Sequence, residues 1–350
     1  MRTWEGVCRM FIDRFSFHPI AEGGLVRDGL RRLRGLRAPE FDRTLGQPLV
    51  REGLAALHDG DWDRVAALYS SQTADDRYLW IDLMGGLWPV ARPLPSGARR
   101  GAALKVAGGL LVTLAWRHRG AGPAHRVSET ARAEMQDRLR HARMALDMAR
   151  QADGADIVAL GFGLRAAMGL SDHEGVAAQT DILLTTSEAC LAADLALLTA
   201  WEARWGATQE DMWAVIRDRE HQGPAWIALE MRGRLQDCVW HEHMSDVPDA
   251  AERHKTRRDD PNYTAELLQL QAGALAGLER PQPRARSLIA HNVIGASMAA
   301  LVGWPTAAPH LEAIGPHLAE GAWEQIEDMR DPLRALGRMR ARAGLEPLPA

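Results

Sequence analysis

Apolar residues recur every three or four positions along nearly the whole chain, and alternating runs of β-branched residues are scarce; the pattern predicts an all-α protein. The first clear unit is "LVREGLAALHDGDWDRVAALYSSQ". Leu54 and Leu57 end one helix, His58 to Gly60 turn the chain, and Asp61 caps a second helix carrying Trp62, Val65, Ala66 and Tyr69. So short a connection forces antiparallel neighbours, an αα-hairpin. The same spacing predicts helices over 75–85, 102–117, 128–152, 155–168, 175–184, 187–205, 208–219, 225–241, 264–278, 284–301, 307–318 and 323–343. Between them lie breakers such as Gly169, "HQGP", "DDPN" and "RPQP". Short-linked pairs that cannot bury an apolar face alone predict a stacked, solenoid-like superhelix. No period survives strict matching, so a compact multi-helix bundle stays open beside it. Residues 1–40, with Arg27, Arg31, Arg32, Arg34 and Arg37 interleaved with Leu25, Leu30, Leu33 and Leu36, read as a basic helical extension or cap. Residues 41–345 read as a single helical-repeat domain.

The stretch "LAADLALLTAWEARWGATQEDMW" predicts a tight corner between two helices. Leu197, Trp201 and Trp205 fall at i, i+4 and i+8, one row on a continuous helix. Gly206 suits the left-handed position after a helix, Thr208 the cap of the next, and Glu210 and Asp211 its positive end. Met212, Val215 and Ile216 supply the buried stripe.

This corner also carries a resemblance. "WEARWGATQEDMWAVIRD" resembles the tryptophan, glycine, serine/threonine, acid, methionine corner of a bacterial family of tetratricopeptide-like helical-repeat proteins, a domain of unknown function. "FDRTLGQPLVREGLAALHDGDWDRVAALY" is similar to its N-terminal hairpin and "ETARAEMQDRLRHARMALDMA" to its central helix. "ARSLIAHNVIGASMAALVGWPTAAPHLEAIGPHLAEGAW" is similar to its closing unit, ending at Trp323. The likeness runs over about residues 41–325, with departures at Thr208, at "GWPT" and at Ile289, Ile294 and Leu311. It implies an αα-superhelix and no known activity.

Composition narrows the partner class little. The chain is 46% hydrophobic and 25% charged with a formal net charge of -4, which gives no global basic field for nucleic acid. Lys105 and Lys255 are the only lysines; the arginines are spread along the chain, as a GC-rich genome would leave them. Cys8, Cys190 and Cys238 show no CxxC spacing and read as reduced thiols. The most apolar stretch, 102–116, contains Lys105 and falls short of the ~20 residues that span a bilayer. With Arg9, Asp13 and Arg14 breaking the N-terminal run, a cytoplasmic location is the expectation.

Candidate chemistry is sparse. "GFGLRA", Gly161 to Ala166, fits a dinucleotide fingerprint only if a strand precedes it; its flanks are helical, and the glycines read as sites of close helix packing. "WHEHMSD" with His254 beyond is the densest set of potential ligands, yet His241 and His243 at i, i+2 point apart on a helix and no HExxH occurs. His291 with Asn292, and His310 with His317, read as packed or surface residues. No Walker A or GxSxG motif is present. The expectation is a non-enzymatic helical-repeat protein that binds a protein or peptide, with no cofactor and no metal. Its partner-binding candidates are Trp205, Trp213, Trp226 and Trp240, and its structural corner is Gly206, Thr208 and Met212. The alternative is a metal-dependent or other enzyme using His241, Glu242, His243 and His254; the third is nucleic-acid binding through arginine and tryptophan.

Overall fold

Glycines in the left-handed region and capping aspartates divide the chain much as its breakers suggest. The computed structural model describes residues 42–99, 101–120, 127–219, 222–243, 249–329 and 331–348, and the predicted extension over 1–40 lies outside them. Sixteen α-helices and no strand occur among the described residues. α1 (Leu49–Asp59) stops at Gly60 with φ 71°, and the Asp61 carboxylate accepts the Arg64 N–H to open α2 (Trp62–Ser70). Thr73 caps α3 (Ala74–Leu87), which is followed by α4 (Gly101–Arg119). Ser128 caps α5 (Glu129–Asp153), Asp156 caps α6 (Ile157–Gly169) and Asp172 caps α7 (His173–Thr185). Then come α8 (Leu191–Ala200), α9 (Gln209–Arg219), α10 (Ile227–His243) and α11 (Ala250–Arg258). Asp260 and Pro261 open α12 (Pro261–Leu278). The chain closes with α13 (Arg284–Leu301), α14 (Ala308–Ile314), α15 (Glu320–Trp323) and α16 (Pro332–Arg342).

Three predicted segments are corrected. The helix expected over 187–205 ends at Ala200; Glu202 is extended (φ -67°, ψ 142°) and a single 3-10 turn, Ala203–Trp205, follows. Leu197, Trp201 and Trp205 therefore do not form one row. The cause is tertiary: the Glu202 carboxylate turns inward to ion-pair with Arg204 and with Arg232 on α10. The helix expected over 323–343 is only Pro332–Arg342: α15 ends at Trp323, turns follow over 324–329, and Asp331 caps a fresh start at Pro332, whose ring cannot continue a preceding helix. The segment 250–258, where no helix was predicted, forms α11.

Two hydrophobic cores touch. The larger runs from α1 to α13; the smaller gathers Leu45, Leu79, α13, α14, Trp323 and α16. α3 packs against α1, α4, α6, α8 and α13, so helices distant in sequence share it. Arg286 Nε lies 2.8 Å from Asp75 Oδ2, the Ala285 N–H donates to Asp76 Oδ1 at 3.2 Å, and Arg284 donates to the Gly46 carbonyl at 2.6 Å. An array in which each pair met only its neighbours would lack these contacts; here the opening and closing units meet.

"GFGLRA" lies wholly within α6, with Asp156 capping the helix directly ahead of it. A Cβ at Gly161 would sit 2.8 Å from the Tyr78 ring and 2.9 Å from the Ala193 Cβ, so the glycine is where α3, α6 and α8 approach. Close packing explains the motif. Gly161→Leu is expected to cost on the order of 1–3 kcal/mol by overpacking, read as a lower urea midpoint; an unchanged midpoint would contradict this packing.

Candidate functional site

The corner after α8 is built as a reciprocal cap. Gly206 is left-handed at φ 100°. Thr208 Oγ1 accepts the Asp211 N–H at 3.1 Å, while Asp211 Oδ2 accepts from the Thr208 N–H at 2.9 Å and hydroxyl at 2.7 Å. These bonds hold the Asp211 carboxyl below its usual value. Met212 is buried beneath. The residues expected at the corner thus supply a left-handed glycine, a reciprocal cap and a buried methionine.

The four tryptophans part company. Trp205 is half-buried, edge-on to Trp116 with ring centres 5.8 Å apart. Trp213 is half-buried and donates to Asp237 at 3.3 Å; Trp240 is half-buried on α10. Trp226 is corrected as a binding candidate: only 2% of it is exposed, and its Nε1 donates to Asp194 Oδ2 at 2.6 Å. A side chain committed to a buried carboxylate has no face for a partner.

That carboxylate belongs to a sealed polar network. Asp194, on the otherwise apolar α8, lies 2.9 Å from Arg219 Nε on α9, and neither is open to solvent. Burial raises the Asp194 pKa to about 6 from its ordinary 3.8, against the opposing pull of Arg219 and the Trp226 hydrogen bond. Asp75 on α3 is equally buried, faces Arg286 on α13, and accepts the Ala192 N–H in the first turn of α8. Its pKa is raised by burial despite Arg286. Arg286 also donates to the Ala189 carbonyl and stacks over Trp226 at 4.9 Å. Burial pushes the adjacent Cys190 thiol well up, so it is a packed, unreactive group. Sequence reading missed this network, although a lone aspartate inside "LAADLALLTA" was a visible signal.

A second sealed cluster stands in the closing unit. Asn292 donates to the Leu288 and His317 carbonyls and accepts from the Ala319 N–H and Trp323 Nε1, both at 2.9 Å. It thereby ties α13 to α15. His291 and His310 meet Nδ1 to Nδ1 at 3.0 Å in the same interior. Burial lowers both pKa values, that of His310 to about 3 with His291 adding to the effect, so both rings are neutral at pH 7. His317 is half-buried beside Asp42, 3.9 Å away. Among the residues proposed for metal or acid-base work, the side chains of Glu242, His243 and His254 lie outside the described residues. No group of three metal-binding side chains occurs among the described ones.

Several charged side chains lie near the residues shared by the two cores. Leu83 and Ala322 are half-buried and pack against both cores. On one side Asp82 holds Arg165 at 2.8 Å and accepts the Thr113 hydroxyl. Arg117, in electrostatic reach of Asp82 and Arg43, spans to the Gly85 and Trp88 carbonyls at 2.7 Å each. On the other side Glu320 and Glu324 stand one turn apart, Glu320 within reach of Arg43 and Glu324 of Arg232. Arg232 lies 3.4 Å from Glu202, and Gln236 donates to Gln325 at 3.0 Å. Desolvation raises the pKa of Glu320, with Glu324 adding to it, and of Glu324, and lowers that of Arg117; yet Arg117 and Glu324 are exposed. Glu320 and Glu324 make no ion pair with any described residue.

No protein-family model, curated protein or solved structure matches the chain. The function must therefore be argued from these arrangements.

Two measurements test the sealed clusters. Arg219→Met is expected to cost about 3–5 kcal/mol, the penalty for leaving a buried carboxylate without its counter-charge. Stability tied to neutral Asp194 is present below pH 3.8 and lost as pH rises through about 6, so the variant's deficit should widen over that rise. A pH-independent deficit would count against the pairing. The histidines run the other way: their depressed pKa values give stability that is full above pH 6.5 and lost as pH falls towards about 3. His310→Leu should flatten that acid limb in urea titrations, whereas an unchanged limb would place the titrating groups elsewhere.

Proposed function

We propose that the chain is a non-enzymatic helical-repeat protein of αα-hairpins, with its first and last units in contact, whose charged seam binds a protein or peptide partner in the bacterial cytoplasm. The observation that carries this reading is the pair Glu320 and Glu324, partly desolvated, with exposed Arg43 in electrostatic reach of Glu320 and Arg232 of Glu324, and with no ion-pair partner for either among the described residues. Open charges of both signs close together offer the complementarity that steers and registers a polypeptide ligand. Arginine and half-buried tryptophan are also the residues that contribute most at protein interfaces. Trp205, Trp213 and Trp240 remain as flanking anchors on this reading. The sealed state of Asp75, Asp194, Cys190 and His310 supports it too, because a group without access to solvent cannot meet a substrate.

Native affinity purification of the full chain from its host should return a stoichiometric protein. The double substitution Glu320→Arg with Glu324→Arg should weaken its capture roughly tenfold or more, with raised ionic strength acting in the same direction on the parent chain. Capture that ignores both the charge reversal and salt would move the interface away from the seam, and recovery of no protein by the parent chain would remove the reading.

A further inference from the structure

The helix α5, 25 residues long, sends one stripe into the core: Met135, Leu139, Ala142, Leu146 and Ala149. On one flank Glu134 meets His118 of α4 at 2.9 Å, and on the other Arg143 meets Asp172 ahead of α7 at 2.6 Å. The face between those flanks points away from the body. It carries Asp137, Arg140, Met144, Asp147 and Gln151, spaced at alternating steps of three and four residues, all exposed or half-buried. That spacing is the seam along which one helix packs against another. Met144 is 61% exposed and Met148, one turn on, 52%. Two large apolar side chains held in water on consecutive turns lose hydrophobic free energy that a covering surface would recover.

We propose that this face pairs with the same face of a second copy of the chain, α5 against α5 in antiparallel sense, with Met144 on the two-fold axis. The charge pattern names the occupant. Arg140 stands four positions before Met144 and Asp147 three after it, so an axis through Met144 sets Arg140 of each copy opposite Asp147 of the other. The two residues are seven apart and therefore lie on one flank of the helix, the condition for meeting across an antiparallel pair. His141 and Met148 are matched in the same way on the other flank, and Asp137 comes beside Gln151. A parallel pair would instead set Arg140 on Arg140 and Asp147 on Asp147, like charge against like. The face is thus complementary to itself in one sense only, and the two-fold closes the assembly at a dimer. From Asp137 to Gln151 the contact runs about 21 Å. A single helix pair of that length lies at the low end of specific interfaces, so self-association in the micromolar range is expected. None of the residues at Glu320 and Glu324 takes part, and the inference does not depend on the partner proposed above.

Sedimentation velocity of the purified full chain over about 1 to 100 μM should show a monomer of 38.5 kDa passing into a dimer as concentration rises. Arg140→Asp and Asp147→Arg should each weaken the dimer about tenfold or more, because each sets like charges across the axis, and the two combined should restore it. These side chains lie on the outward face, so the melting temperature of every variant should stay near the parental one. Orientation is read by cross-linking under mild oxidation, judged against the parent chain. Met144→Cys should join to its copy. Ala133→Cys should not, since an antiparallel pair holds the two copies of residue 133 roughly 33 Å apart along the helices. A chain that remains monomeric throughout would overturn the proposal. So would a dimer whose affinity ignores the charge substitutions, or equal cross-linking at positions 133 and 144, which belongs to a parallel pair.

Discussion

Two carboxylates held away from water, Asp75 and Asp194, constrain the rest of the structure. A buried carboxylate is tolerable only with a counter-charge and hydrogen bonds in place, and here each counter-charge comes from another helix. Arg219 must bring α9 against α8, and Arg286 must bring α13 against α3 and the start of α8. Apolar packing alone would let these helices slide or exchange neighbours at modest cost. The ion pairs are directional, and breaking one strands a charge in the core, so they select a single arrangement. Trp226 completes it by donating to Asp194 beneath the Arg286 guanidinium.

From that arrangement follows the contact between opening and closing units. Once Arg286 is fixed on Asp75, α13 lies along α3, and the smaller core closes over Leu79. Asn292 then gathers Trp323 and Ala319, which sets α15 and brings Glu320 and Glu324 to the seam facing Arg43 and Arg232. The chemistry of the molecule is divided accordingly. Asp75, Asp194, Cys190 and His310 are buried away from solvent. Glu320 and Glu324, on either side of Ala322 where the two cores meet, keep contact with water.

Much of the helical order was legible in the sequence, because capping and periodicity are local. Asp61, Ser128, Asp172 and Asp260 cap helices near where their spacing suggests, and α13 begins and ends at its predicted residues. The corner at Gly206, Thr208 and Met212 was legible for the same reason: a left-handed glycine, a reciprocal cap and a buried methionine are each set by residues within a few positions. Where the reading failed, a distant partner overrode the local pattern. "TAWEARW" has helical spacing, but Glu202 leaves the helix to meet Arg232; Trp226 looks like an interface residue, but Asp194 claims it.

By itself, then, the sequence determined an all-helical chain, its turns and caps, and the glycines that let α3, α6 and α8 approach. Tertiary structure alone decided which arginine neutralises which buried aspartate, which tryptophans are withdrawn from solvent, and which carboxylates stay open. The reason is physical. Helix formation is governed by contacts three or four residues apart, which periodicity records. Desolvation and ion pairing depend on what surrounds a charge in space, and for Asp75 and Arg286 that neighbour is hundreds of positions away along the chain.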